Sequence, residues 1–319
     1  MKIDLPEVFT DGLKNMWMKK FIGLIICVIC TICGHAQQDA QYSQYMFNPL
    51  ALNPAYAGVR QVFSSALVSR RQWTGIDGSP STSSLSGQAP IGKKNAGVGV
   101  ELISDKLGFK KTSAALISYA YRVKMARGNL SFGLRMGMYN NVFDWSQARV
   151  QDPGDINSNA GASKNTGTAD FGAYYSMRRF YWGLGLTHLN RGKISDANLG
   201  NPATHQAIHF FMPIGKAFET GSVIINPSIL LKGAGNAPSE LDINLNILLK
   251  QKLWLGMSLR SGYGFVFLTQ YMITDKFKVG YSFDYGTNKI GTVGKGSHEI
   301  MIGYDINVKG TKMEMLKYF

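Results

Sequence analysis

The sequence predicts an all-β fold, a transmembrane antiparallel up-and-down β-barrel of about 14 strands. Three observations predict it. After Gly58 there is no useful stretch of helical period, whereas period-two alternation recurs again and again. One face of each alternating segment is large and apolar while the other is small, polar or charged and rich in glycine. Aromatic residues gather near the ends of these segments. A soluble sandwich hides its apolar face in a dry core. A membrane barrel turns it to lipid and keeps a polar lumen, which the crowded, charged second face suits better.

The chain has a leader before any strand. Met18-Lys19-Lys20 opens the run "FIGLIICVICTIC", apolar from Phe21 to Cys33 apart from Gly23 and Thr31, and "GHA" closes it. A charged start, a short apolar stretch and the small residues Gly34 and Ala36 make a signal peptide over residues 18–36, cut between Ala36 and Gln37. The run is too short for the roughly 20 residues of a membrane-spanning helix. Residues 1–17 lack signal character, so Met18 is the expected start and 1–17 an extension ahead of it. Cys27, Cys30 and Cys33 all lie in the leader, each preceded by isoleucine rather than the small residue a lipoprotein needs. The mature chain of 283 residues therefore has no cysteine, no disulfide and no thiolate metal site.

Net charge is +14, and +13 once residues 1–36 are removed. The basic residues are scattered singly in an exported chain. Nucleic acid is thereby excluded as a partner, and anionic lipid or an acidic partner is favoured.

The first mature segment, residues 37–58, holds "QYSQYMFNPLALNPAYAG", uncharged and aromatic with two Asn-Pro pairs. Pro49 and Pro54 push Asn48 and Asn53 out of helical geometry, and each proline removes a backbone donor. The segment is extended or turned and either enters the lumen or lies under the periplasmic mouth. Tyr42, Gln44, Tyr45, Phe47, Asn48, Pro49, Asn53, Pro54 and Tyr56 are the candidate residues for packing on the barrel or touching a partner.

Residues 59–308 supply the barrel. Its strands are expected to begin near Val59, Ser81, Ala96, Thr112, Asn129, Thr168, Arg179, Thr204, Gly221, Glu240, Lys252, Tyr263, Lys276 and Ser297. The clearest is "KFKVGYSFDY": Phe277, Val279, Tyr281, Phe283 and Tyr285 share one face, and Lys276, Lys278, Gly280, Ser282 and Asp284 the other. "NLSFGLRMGMY", "LDINLNILLK" and "EIMIGYDINV" alternate in the same way. Trp73, Tyr119, Tyr121, Tyr139, Trp145, Tyr181, Trp182, Tyr271 and Tyr304 are the expected interface girdle. "ARGN", "MRRF" and "KQKL" are tight turns, whereas Ser146–Gly167 and Asn190–His205 are long, the asymmetry of periplasmic turns and external loops. Residues 309–319 form a basic tail.

Sites for chemistry are weak. "GQAPIGKK" departs from a phosphate loop at Lys94 and Pro90, and reads as a turn between strands. "DINSNA" places Asp155, Asn157 and Asn159 as a calcium loop would, but Ala160 and Thr166 stand where Gly and Glu are needed. His205 and His209, about 13 Å apart on a strand, cannot share an ion. No G-x-S-x-G occurs, so no catalytic residue, cofactor or metal ligand is assigned.

"QDAQYSQYMFNPLALNPAYAG", with "RRQWTGIDGSPSTSSLSG", "GVGVELISDKLG" and "GSHEIMIGYDINV", resembles the PorP/SprF family of type IX secretion membrane proteins over essentially the whole mature chain. The resemblance implies a non-enzymatic Bacteroidetes outer-membrane barrel of type IX secretion or gliding motility. Its implied partners are periplasmic ring or peptidoglycan-binding proteins, and a secreted cargo through its C-terminal domain, or a large adhesin. The residues also leave room for a general porin or hydrophobic-solute channel, or for an outer-membrane hydrolase.

Overall fold

The computed structural model describes residues 40–92, 95–144, 162–194, 205–235 and 237–307. The expected leader with its expected cleavage between Ala36 and Gln37, Trp145, the calcium-like "DINSNA" and the basic tail fall outside these residues. The strands are β1 (Phe63–Arg71), β2 (Ser81–Ile91), β3 (Ala96–Leu107), β4 (Lys110–Met125), β5 (Gly128–Phe143), β6 (Ala162–Met177), β7 (Phe180–Thr187), β8 (His209–Lys216), β9 (Phe218–Thr220), β10 (Val223–Ala234), β11 (Glu240–Leu249), β12 (Leu253–Arg260), β13 (Gly264–Met272), β14 (Phe277–Gly286) and β15 (Ser297–Ile306).

Neighbours in sequence are antiparallel neighbours in space, and β15 returns to β1 from Phe63↔Ile306 to Arg71↔His298. The sheet is closed. Segments β8 and β9 are parted only by Ala217 and both pair with β10, so they fill one position in a wall of fourteen. Closure satisfies the backbone groups that a lipid-facing edge would leave bare.

Most expected starts fall within two residues of the observed ones. Three do not. The chain reaches β1 only at Phe63 because Val59, Gln61 and Val62 are still buried. Strand β6 begins six residues early, where polar residues 162–167 pair with Phe143 back to Met138 of β5. Thr204 lies outside the described residues, and β8 opens at His209.

The faces divide as the alternation requires. Along β5, Leu134 and Met136 are 61% and 67% exposed, while Ser131 and Arg135 between their neighbours are 2% and 3%. Ser282, Asp284 and Glu299 are likewise sealed inside, and Tyr281, Tyr285 and Ile300 point out. Apolar side chains thus coat the outer surface and polar ones line the lumen, the reverse of a soluble sandwich.

One end of the barrel has only short connections, among them 126–127, 178–179, 221–222 and 250–252. The other carries residues 72–80, 144–161, 188–208 and 287–296, the last with a short helix α1 (Lys289–Val293). The asymmetry is not strict: at this same end Gly108 and Phe109 alone join β3 to β4. Tyr119, Tyr121, Trp182, Tyr271 and Tyr304 are exposed on the outer wall toward the short-turn end, forming a girdle on that side. Tyr139 and Tyr181 do not join them. Both are buried, because they share the lumen side of their strands with Arg135 and Gly183. Trp73 sits in the loop after β1, half-buried.

Candidate functional site

The lumen is filled by the chain's own N-terminal segment. From Ala40 to Val62 it threads the barrel as three single-turn 3-10 helices, Tyr45–Phe47, Pro49–Ala51 and Pro54–Tyr56. The Asn-Pro pairs explain the shape. Proline opens the second and third turns, where its missing N–H is not needed, and holds the preceding asparagine outside helical geometry. Asn53 is extended; its Oδ1 accepts from Ala55 N at 2.9 Å, and its Nδ2 donates to Ala173 O on β6 at 2.9 Å. Asn48 accepts from Ser86 Oγ on β2 at 3.2 Å.

Near the long-loop end, Ser43 N and Gln44 N donate to the two oxygens of the Glu299 carboxylate, each at 2.8 Å. Ser43 Oγ bonds Asp284, and Arg70 lies against this group. It donates to Ser43 Oγ and to Asp284 Oδ2 at 2.7 Å, and to Glu299 Oε2 at 3.3 Å. All four side chains are nearly inaccessible to solvent. Tyr45 OH pairs with Asn244 on β11. On the opposite wall Arg135 reaches Leu50 O and Ala51 O while paired with Asp170 and Glu101. At the short-turn end Arg122 Nη2 donates to Gly58 O at 2.8 Å. The bonds to Glu299 and Asp284 and those from Arg135 are charge-assisted and shielded from water, where each is stronger than at a surface.

The wall is thinned to admit this plug. A side chain at Gly133 would overlap the Ala55 backbone, and one at Gly185 would overlap Leu52 O. Gly58 then turns the chain toward β1 with φ +70, against Gly97 on β3.

Of the nine candidate residues, Tyr42, Gln44, Tyr45, Asn48, Asn53, Pro54 and Tyr56 are buried in this packing. Tyr56 packs edge-on against Tyr174, which stacks on Tyr181. Phe47 and Pro49 are half-buried and face open space.

The family of proteins described as type IX secretion system membrane protein PorP/SprF matches residues 34–304. The chain belongs to this family. No curated protein matches it. Among solved structures it is similar to the outer membrane protein Omp33 of Acinetobacter baumannii, at 11% identity and a TM-score of 0.44, over 78% of this chain and 100% of the other. It is also similar to the TodX deltaS2S3 mutant monoaromatic hydrocarbon channel, at 10% identity and a TM-score of 0.47, over 88% and 98%. The KdgM porin is similar at 10% identity and a TM-score of 0.38, over 77% and 99%.

In this PorP/SprF barrel the open space beside Phe47 is a vestibule of about 510 Å³ at the short-turn mouth. Met46, Phe47, Trp254, Met272 and Phe277 form its apolar lining, with Phe47 and Trp254 centroids 5.9 Å apart. Asn246 and Gln270 add buried polar groups to its wall, and Thr274, Asp275 and Lys276 stand exposed at the rim.

The other motifs do not assemble a site. Residues 87–91 of "GQAPIGKK" belong to β2, and a strand rather than a helix follows the turn. His205 bridges Lys193, and His209 lies inside against His188, itself edge-on to Tyr139. No group of three or more His, Cys, Asp or Glu is placed to hold a metal among the described residues. Sequence reading missed Arg70, Asp284 and Glu299 as plug anchors. The available signal was a full charge on the lumen side of an otherwise small, polar face.

Proposed function

We propose that this PorP/SprF chain is a non-enzymatic, plugged scaffold of the type IX secretion and gliding machinery. Outer-membrane lipid holds the wall. The short-turn end faces the periplasm and meets ring or peptidoglycan-binding proteins. The long loops meet secreted cargo, through its C-terminal domain or as a large adhesin.

The observation that supports this reading is the occupied lumen. A porin or hydrophobic-solute channel needs a continuous path, and the Ala40–Val62 segment crosses it with bonds to β2, β4, β5, β6, β11, β14 and β15. Of the nine motif residues, Phe47 and Pro49 are the two a periplasmic partner can reach through the vestibule, and the other seven hold the plug in place.

In the producing cell, deletion of the gene should abolish secretion or surface display of at least one protein carrying a type IX C-terminal domain. Cross-linking to the restored chain should recover that protein or a component of the periplasmic ring. Secretion that continues undiminished, with neither class recovered, would overturn the reading.

A further inference from the structure

The vestibule joins an apolar floor to a cationic rim. Lys250 and Lys252 flank Gln251, which lines the cavity, and Lys276 lines it directly. All three lysines are exposed and form no ion pair among the described residues. The nearby acid Asp305 is already held by Arg60 at 3.0 Å and Lys278 at 3.1 Å, leaving Asp275 as the acid on this part of the rim. The mouth thus presents excess positive charge over a greasy recess.

We propose that the vestibule binds an acidic peptide segment of a periplasmic partner protein, one bulky apolar side chain seated in the recess against Phe47, Met272 and Phe277 and flanking carboxylates on Lys250, Lys252 and Lys276. An aromatic or large aliphatic anchor in a pocket with charges at its edge is the usual division between affinity and steering. The proposal rests on the periplasmic placement of the short-turn end given above. Two other occupants fit less well. Lipid headgroups lie outside the wall, whereas Lys276 lines the opening itself and Lys250 and Lys252 adjoin Gln251, which also lines it. The chain's own residues 309–319 carry Lys309, Lys312 and Lys317 against Glu314, so like charge opposes their entry.

The test uses the full chain in nanodiscs of zwitterionic phosphatidylcholine and a short fluorescent peptide with a central Trp flanked by Asp and Glu. The peptide should bind, and lose affinity as salt rises. Lys250→Glu/Lys252→Glu/Lys276→Glu, at exposed turn positions that leave the barrel intact, should weaken binding by about tenfold or more. Met272→Asp should weaken it through the floor, and replacing the peptide's Trp with Ser should do the same.

Equal binding of a Lys-flanked peptide would overturn the proposal, as would indifference to both variants. So would displacement of the peptide by the soluble glycerophosphoglycerol headgroup in the same zwitterionic discs, which assigns the rim to lipid. Binding that emerges only after truncation beyond Asn307 assigns the recess to the tail and overturns it too. The peptide failing while secretion still requires the chain removes this proposal alone. Secretion indifferent to the chain removes the functional reading instead, whatever the peptide does.

Discussion

Full-length protein in a planar bilayer is expected to carry no steady ionic current, and the same barrel without residues 41–57 to open in discrete conducting steps. The wall itself is wide enough for water: fourteen strands line the inside with Ser84, Ser118, Ser131, Thr168 and Asn226. What closes it is the plug. Gly133→Leu/Gly185→Leu provides a second route that deletes nothing. Each new side chain would occupy the space of the Ala55 or Leu52 backbone, and those neighbours are not flexible side-chain tips that can swing away. This variant should conduct as well, with heat-modifiable migration on gels confirming a folded barrel. Current through the unaltered chain, or silence from folded barrels of both altered forms, would show that the N-terminal segment is not what seals the lumen.

Replacing Arg70 is expected to have the largest effect on stability of any single substitution in the lumen. Its guanidinium is 1% exposed and contacts Asp284, Glu299 and Ser43 together. Arg70→Met leaves two carboxylates buried with their main counter-charge gone. Arg260 is the next cation, 3.6 Å from Asp284. Breaking such a buried network costs about 3–5 kcal/mol, because the remaining charges are neither paired nor hydrated. In urea titrations of the protein in lipid vesicles the midpoint should fall sharply. Arg70→Met/Asp284→Asn/Glu299→Gln removes the charges together and should recover a substantial part of the loss. Failure of Arg70→Met to destabilise would mean that Glu299 holds the plug through its bonds to Ser43 and Gln44 alone.

The wall was legible in the sequence because each strand declares itself locally. Residues two apart share a face, so "KFKVGYSFDY" separates into an outer and an inner set without knowledge of any partner strand. The same rule corrects the girdle: Tyr139 stands on the side of Ser131 and Arg135, and that parity outweighs its nearness to a strand end. The start of β6 was hidden for the opposite reason. Residues 162–167 alternate no apolar face, and only pairing with β5 extends them.

The plug was half legible. Its prolines excluded a helix and its aromatic residues a linker, and both a lumenal and a periplasmic position stayed open. Its anchors were not legible, since Ser43, Arg70, Asp284 and Glu299 meet across more than two hundred residues of chain. The lumen-side glycines were visible as a pattern, but not that Gly133 and Gly185 make room for Ala55 and Leu52. The vestibule is likewise built from the plug and the far ends of β11 to β14, which only closure of the barrel brings together.

The direction in which the apolar faces point is the central claim, and nitroxide accessibility along β5 tests it most directly. A chain beginning at Gln37 has no cysteine, so a single one introduced between positions 130 and 138 can be labelled alone. In lipid vesicles, labels at Phe132, Leu134, Met136 and Met138 are expected to be highly accessible to oxygen dissolved in the bilayer, and a label at Ser131 shielded from it. Accessibility that fails to alternate, or that alternates in the opposite phase, would contradict the account.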